Sequence, residues 1–358
     1  MNYRLSFSQR VKPYISGAVP FVYSLDKQIK PVTFKKQFVD TSILPDLCQS
    51  LDSVADGQGL SIQSFFEDKK ISIGPRRNIR DEITRVLARN YEEHICGLLL
   101  ALPFKCPVPI KTYYHALPDL GELMFLHRLS QFPFPVTVLD ESHALSVVFG
   151  VNKNIANKFR NSLLEFISLL NIKEKVRLIP LHEAMGYDLK SYRAALLNET
   201  KLMEKNVIDY NDILTRILPT IALSVNTTHL SLNECRNYIH RQFIHEVNPQ
   251  ANAQLFQTAY RYIAFSNLQK KTAFRKRHYS NFLQMSLCPK KGRVGIRPTV
   301  HTARIWPHHG VPVVRKNKRG KSVFEILYFI DLIHTYYYAH ITQVFNKEGN
   351  FLYFFIDP

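Results

Sequence analysis

GLLLALPF, residues 97–104, is a short, unbroken apolar run that closes on Pro103 and Phe104. At that length it reads as a strand buried on both faces, the pattern of a parallel sheet covered by helices. Pro103 has no N–H to give a ladder, so the strand ends there and a loop begins. Upstream, residues 81–95 begin as an amphipathic helix, with Ile83, Val86, Leu87 and Tyr91 on one face. Downstream, LPDLGELMFLHRLSQF (117–132) sets Pro-Asp ahead of a helical apolar pattern, which marks a helix start. FPVTVLDES (134–142) is a buried strand that ends in two carboxylates. NKNIANKFRNSLLEFISLL (152–170) reads as a helix and KVRLIPLHEA (175–184) as another strand. Strands alternating with helices imply βαβ units. The predicted fold is α/β, a Rossmann-like, mostly parallel sheet flanked by helices.

The pattern changes beyond residue 186. Candidate helices fall around 189–206, 208–218, 230–243, 251–267 and 269–285, a helical insertion or subdomain on the α/β body. RVGIRPTV (293–300) then reads as a strand, and VPVVRKNKRGKSVFEILYF (311–329) as a C-terminal β-hairpin around a basic turn. The expected organisation is therefore a mixed N-terminal region (1–80), an α/β core (81–186), a mainly helical region (187–287) and C-terminal strands that complete the site (288–358).

Composition narrows the class. Hydrophobic residues make up 46% of the 358-residue chain, enough for a substantial core. No run is long enough to cross a bilayer, and the N-terminus lacks the apolar region of a secretory signal. The five cysteines, Cys48, Cys96, Cys106, Cys235 and Cys288, form no C-x-x-C pair. Odd in number and widely spaced, they fit a reducing compartment, here the cytoplasm, and no disulfide scaffold. The formal net charge is +18, and residues 270–321 hold 15 Lys and Arg with no acidic residue. Such a field draws anions: nucleic acid, a membrane surface or phosphorylated metabolites.

Three stretches carry candidate chemistry. In ALPFKCPVPIKTYYHALPDLGE (101–122), a strand exits into a proline-stiffened loop bearing Lys105 and Lys111, and the next helix opens with Asp119 and Glu122. A stiff loop can hold a lysine near a substrate. Equally, Lys105 can be solvated and Asp119 a helix cap. VLDES (138–142) places Asp140 and Glu141 at a strand end, either as proton acceptors or as caps for the following turn. In GIRPTVHTARIWPHHGVPVV (295–314), Arg297 and His301 share one face of an extended segment. Arg suits a carboxylate or phosphate and His a proton shuttle. His308 and His309 are adjacent, so an extended backbone points them apart, which argues against one metal holding both. KKTAFRKRHY (270–279) and RKNKRGK (315–321) have the basic and aromatic character of nucleic-acid surfaces, though such runs are commonly solvated faces.

Three segments, LPFKCPVPIKTYYHALPDLGELMFLHRL, VTVLDESHALSVVFGV and SLCPKKGRVGIRPTVHTARIWPHHGVPVV, occur in that order. Together they resemble the isonitrile (isocyanide) synthase family, also called the pyoverdine/dityrosine biosynthesis family, over roughly residues 80–320. The family carries a Pro-Phe-x-Lys-x-Pro loop followed by Leu-Pro-Asp-x-x-Glu, a strand ending in Asp-Gly, and a late Pro-Trp-His-Gly-Val element. The resemblance implies an enzyme of secondary metabolism that joins an L-amino acid, tyrosine or tryptophan, to ribulose 5-phosphate. The amine condenses with the ketone, and proton transfers, phosphate loss and carbon–carbon cleavage leave the isonitrile. No metal or organic cofactor is implied, and an oxygenase acting on the product is an expected partner. By motif match, Lys105 would hold the sugar phosphate or polarise its ketone. Asp119, Glu122 and Asp140 would shape the pocket or move protons, and His309 would be an acid–base group. Arg297 would clamp an anion, with His301, His308 and Lys111 also facing substrate. Three positions depart from the pattern: Glu141 replaces the glycine, Pro298 an aliphatic residue and His308 the tryptophan. The competing expectation is a basic nucleic-acid-binding protein on a related fold without catalysis. A zinc hydrolase built on His301, His308 and His309 ranks below both.

Overall fold

The computed structural model describes residues 34–51, 96–102, 117–132, 134–205, 249–286, 294–295, 310–318, 320–327 and 340–357, with a few isolated positions between them. Two five-stranded sheets organise these residues. The first is wholly parallel. It contains β2 (Gly97–Leu102), β3 (Val136–Asp140), β4 (Val176–Pro180), β5 (Phe282–Ser286) and β6 (Val294–Gly295), in the order β4-β3-β2-β5-β6. β2 and β3 are buried almost throughout, as their unbroken apolar runs require. The predicted α/β class with a mostly parallel sheet is what the chain adopts.

Helices connect these strands: α2 (Leu120–Ser130), α3 (Ser142–Phe149), α4 (Lys153–Leu169), the short α5 (Leu181–Ala184), α6 (Leu189–Lys205), α7 (Pro249–Thr272) and α8 (Phe274–His278). α6 and α7 pack together within the stretch expected to be helical. That stretch does not stay helical to 285. α8 stops at His278, and Phe282–Ser286 is a strand with Leu283 and Met285 buried. Leu, Gln and Met are good helix formers, so the period-two burial is invisible to propensity; pairing with β2 decides the state.

The predicted C-terminal hairpin is present as β7 (Val311–Lys316) and β8 (Ser322–Leu327), turning through Asn317–Lys321 with Gly320 at φ 73°. It belongs to a larger unit. β9 (His340–Asn346) and β10 (Phe351–Asp357) form a second hairpin, and β10 pairs parallel with β7. The N-terminal β1 (Lys35–Val39) adds to β9 at the far edge, giving the order β1-β9-β10-β7-β8.

α2 lies between the sheets. It contacts β4 of the parallel sheet and β7 and β10 of the mixed one, as well as α4 and α1 (Leu44–Leu51). Nine of its eleven residues are buried, so the ordinary split into an apolar and a polar face is lost. No helix among the described residues is long and apolar enough to cross a membrane.

Candidate active site

Leu102, Asp140 and Pro180 are register partners, one row across the carboxyl ends of β2, β3 and β4. In open parallel sheets this edge is where ligands bind. α2 runs back from it. Its eleven residues span about 16 Å, close to a strand's length, and a short connection then enters β3 at its amino end. The start of α2 therefore faces the same edge as Asp140.

Asp119 is the N-cap of α2. Its Oδ1 accepts from the Gly121 N–H at 2.8 Å, and Glu122 Oε2 accepts from the Asp119 N–H at 3.0 Å, closing a capping box. Both acids are buried, 1% exposed each. Burying two carboxyl groups is tolerated where backbone donors and the positive end of a helix face them. The reading of Asp119 as a cap is thus what the geometry displays.

Asp140 is fully buried. Its Oδ1 accepts from the Ser142 N–H at 2.8 Å, and its Oδ2 meets Arg160 Nη1 of α4 at 3.1 Å. Asp140 therefore both caps the start of α3 and holds α4 against the strand end. Glu141 follows it at the N-cap position of α3, without a side-chain cap bond.

Beside Asp140 lies a group that the sequence reading passed over. His143 of α3 and His182 of α5 have ring centroids 5.7 Å apart, edge to face. His143 Nε2 meets Asn157 Oδ1 at 2.7 Å. The Tyr192 ring of α6 lies 6.1 Å from His182, and its hydroxyl donates to the Ala144 carbonyl at 3.3 Å. Burial, and then the neighbouring His143, hold the His182 imidazole below its ordinary value. Burial pushes the Tyr192 phenol well above its ordinary range. The signal available in the sequence was positional: each histidine follows a strand end by two or three residues, Asp140 in one case and Pro180 in the other.

A cleft of about 590 Å³ opens nearby, between α4 (Lys158, Ser162) and the β9–β10 turn (Asn346, Asn350), with Leu117 and Pro118 in its wall. Neither Asp119, Glu122 and Asp140 nor the two histidines line it. The carboxyl edge, not this cleft, is therefore the candidate site.

Of the residues expected from sequence, Asp140 stands at this edge, and Asp119 and Glu122 lie at the buried start of α2. Lys105, Lys111, Arg297, His301, His308 and His309 lie outside the described residues. Pro298 lies outside them as well.

No family model matches the chain, and no curated protein sequence matches it. Among solved structures, the crystal structure of PvcA from Pseudomonas aeruginosa is similar, with a TM-score of 0.55 over 82% of this chain and 99% of that one. Sequence identity is 13%, so what the two share is the fold.

Proposed function

We propose that the chain is an isonitrile synthase, or a close relative, acting in the cytoplasm on an L-amino acid and ribulose 5-phosphate. The supporting observation is that the acids of two resembling motifs are buried, Asp119 with Glu122 at the start of α2 and Asp140 at the carboxyl end of β3. The fold likeness to PvcA extends along nearly that whole chain and agrees in direction with the motifs.

The chemistry assigned to these residues is as follows. Lys105, with Lys111 and Arg297, would bind the phosphate and polarise the ketone. The amino-acid nitrogen attacks the ketone carbon, and water leaves to give the imine. Asp119, Glu122, Asp140 and His309 would carry the proton transfers that precede phosphate loss and carbon–carbon cleavage. His301 and His308 would complete the substrate wall. An oxygenase would consume the isonitrile.

The direct test is mass spectrometry of the purified protein with ribulose 5-phosphate and each of the twenty amino acids, using a tetrazine to trap isonitriles. A trapped adduct at the mass of one amino acid is the expected result. Absence of both adduct and phosphate release from all twenty would overturn the reading. Alanine at Lys105 or His309 is expected to abolish the adduct.

A second reading has one observation in its favour. Lys276, Arg277 and His278 of α8 are exposed at the amino edge of the parallel sheet. Arg275 and Arg177 both lie near Tyr279 there, an arrangement of cations and an aromatic ring suited to nucleic acid. Salt-dependent retention on single-stranded RNA in the absence of turnover would favour it.

A further inference from the structure

The cleft of about 590 Å³ between α4 and the β9–β10 turn has the size of a small-molecule site, yet the acids and histidines described above take no part in it. Its α4 wall is one continuous stripe. Lys158, Asn161, Ser162, Glu165, Phe166 and Leu169 fall at i, i+3, i+4, i+7, i+8 and i+11. Asn346, Glu348 and Asn350 line it from the turn, and Leu117 and Leu352 add to its apolar part. Among the described residues, the side chains of Lys158, Asn161, Ser162, Glu165 and Glu348 make no hydrogen bond or ion pair. Lys347, next to Glu348 in the chain, is already engaged with Asp40.

The charges select what fits. Two carboxylates and one ammonium leave the lining with a negative excess, in a chain whose net charge is +18. A phosphate ester would meet Glu165 and Glu348, and a simple cation would meet Lys158. A ligand with both signs suits the cleft, its ammonium toward the two glutamates and its carboxylate toward the lysine. Length narrows the class further. Lys158 and Glu165 lie two helical turns apart on one face, about 10 Å along the axis. A single amino acid separates its two charges by only about 3 Å, whereas an extended chain advances about 3.5 Å per residue, so roughly three residues fill the distance. Between the charges stand Asn161 and Ser162, which can both donate and accept, as a peptide backbone requires. Phe166, Leu169 and Leu352 offer an apolar surface to a central side chain.

We propose that this cleft is a binding site for a short extended peptide with free termini, about three residues long, with an apolar central residue. The cleft contains none of Asp119, Glu122 and Asp140, so the site stands or falls independently of the synthase reading.

The experiment is isothermal titration calorimetry of the intact protein with Ala-Leu-Ala, its N-acetyl form, its C-terminal amide, and leucine alone. The free tripeptide is expected to bind tightest. Blocking either end should weaken it about fivefold, the upper end for an ion pair in contact with solvent. Lys158→Gln should abolish the preference for the free carboxylate and keep that for the free amine, and Glu165→Gln should do the reverse. Both side chains are exposed on α4, so neither substitution opens the core. That crossed pattern is one that a general loss of structure does not produce. Absence of heat with the tripeptide at about 10 mM, where even millimolar binding would register, would overturn the proposal. Equal binding of the free and blocked peptides, or of leucine and the tripeptide, would overturn it as well. A trapped isonitrile with no peptide binding would sink this site and leave the synthase reading standing; peptide binding with no isonitrile would do the opposite.

Discussion

Asp140 at the end of β3 and Arg160 in the middle of α4 meet at 3.1 Å, twenty residues apart, with the Asp140 side chain wholly buried. The guanidinium balances a carboxylate that water does not reach. Removing one partner of such a pair leaves the other as an uncompensated charge. Arg160→Met is therefore expected to destabilise the fold by roughly 3 kcal/mol in urea unfolding. Asp140→Asn keeps an oxygen for the Ser142 N–H and is expected to cost less. The double variant should recover part of the Arg160→Met loss, and a double-mutant cycle reads the coupling.

The carboxyl groups of Asp119 and Glu122 serve a capping box, and their structural and chemical roles can be separated. Asn caps a helix as well as Asp does, so Asp119→Asn should change stability by well under ~1 kcal/mol, whereas Asp119→Ala should cost ~1 kcal/mol or more. Loss of turnover in Asp119→Asn with unchanged thermal unfolding would assign the carboxylate to chemistry. Retained turnover in that variant would leave it a cap.

His182 makes stability depend on pH. Its value in the folded protein lies below the unfolded 6.5, so between the two the unfolded chain binds the extra proton. This contribution is complete above about pH 6.5 and is lost as pH falls through the folded value. His182→Gln should flatten that part of the stability profile, measured as the urea midpoint at several pH values below 7.

Gly97 opens β2 where a side chain has no room. A Cβ there would lie 2.7 Å from the Pro135 carbonyl oxygen and 2.9 Å from the Phe282 ring. That oxygen already accepts from the Leu98 N–H at 2.8 Å, so it cannot retreat without breaking the bond. Gly97→Ala is expected to lower stability by about 1–3 kcal/mol, read from thermal or urea unfolding.

The elements legible in the sequence were those whose burial is written locally. β2 and β3 are continuous apolar runs, and α2 begins where Pro-Asp says a helix should. β5 was hidden because its residues suit a helix and only the pairing with β2 makes them a strand. The rest of the mixed sheet, beyond the β7–β8 hairpin, was hidden for a different reason. β1 pairs with β9 across some three hundred residues, Lys35 with Thr342, and no local pattern encodes such a partner. At the site, the acids of recognisable motifs could be singled out in advance. His143 and His182 could not, because each is a lone histidine in an apolar stretch, and their relation arises only when β3 and β4 lie side by side.

The enclosure of α2 bears on how such a site could be re-engineered. A helix with a sheet on either side can neither shift nor take larger side chains without disturbing both, so the acids at its start are a fixed frame. Libraries aimed at altering the site would do best to leave Leu120–Ser130 untouched.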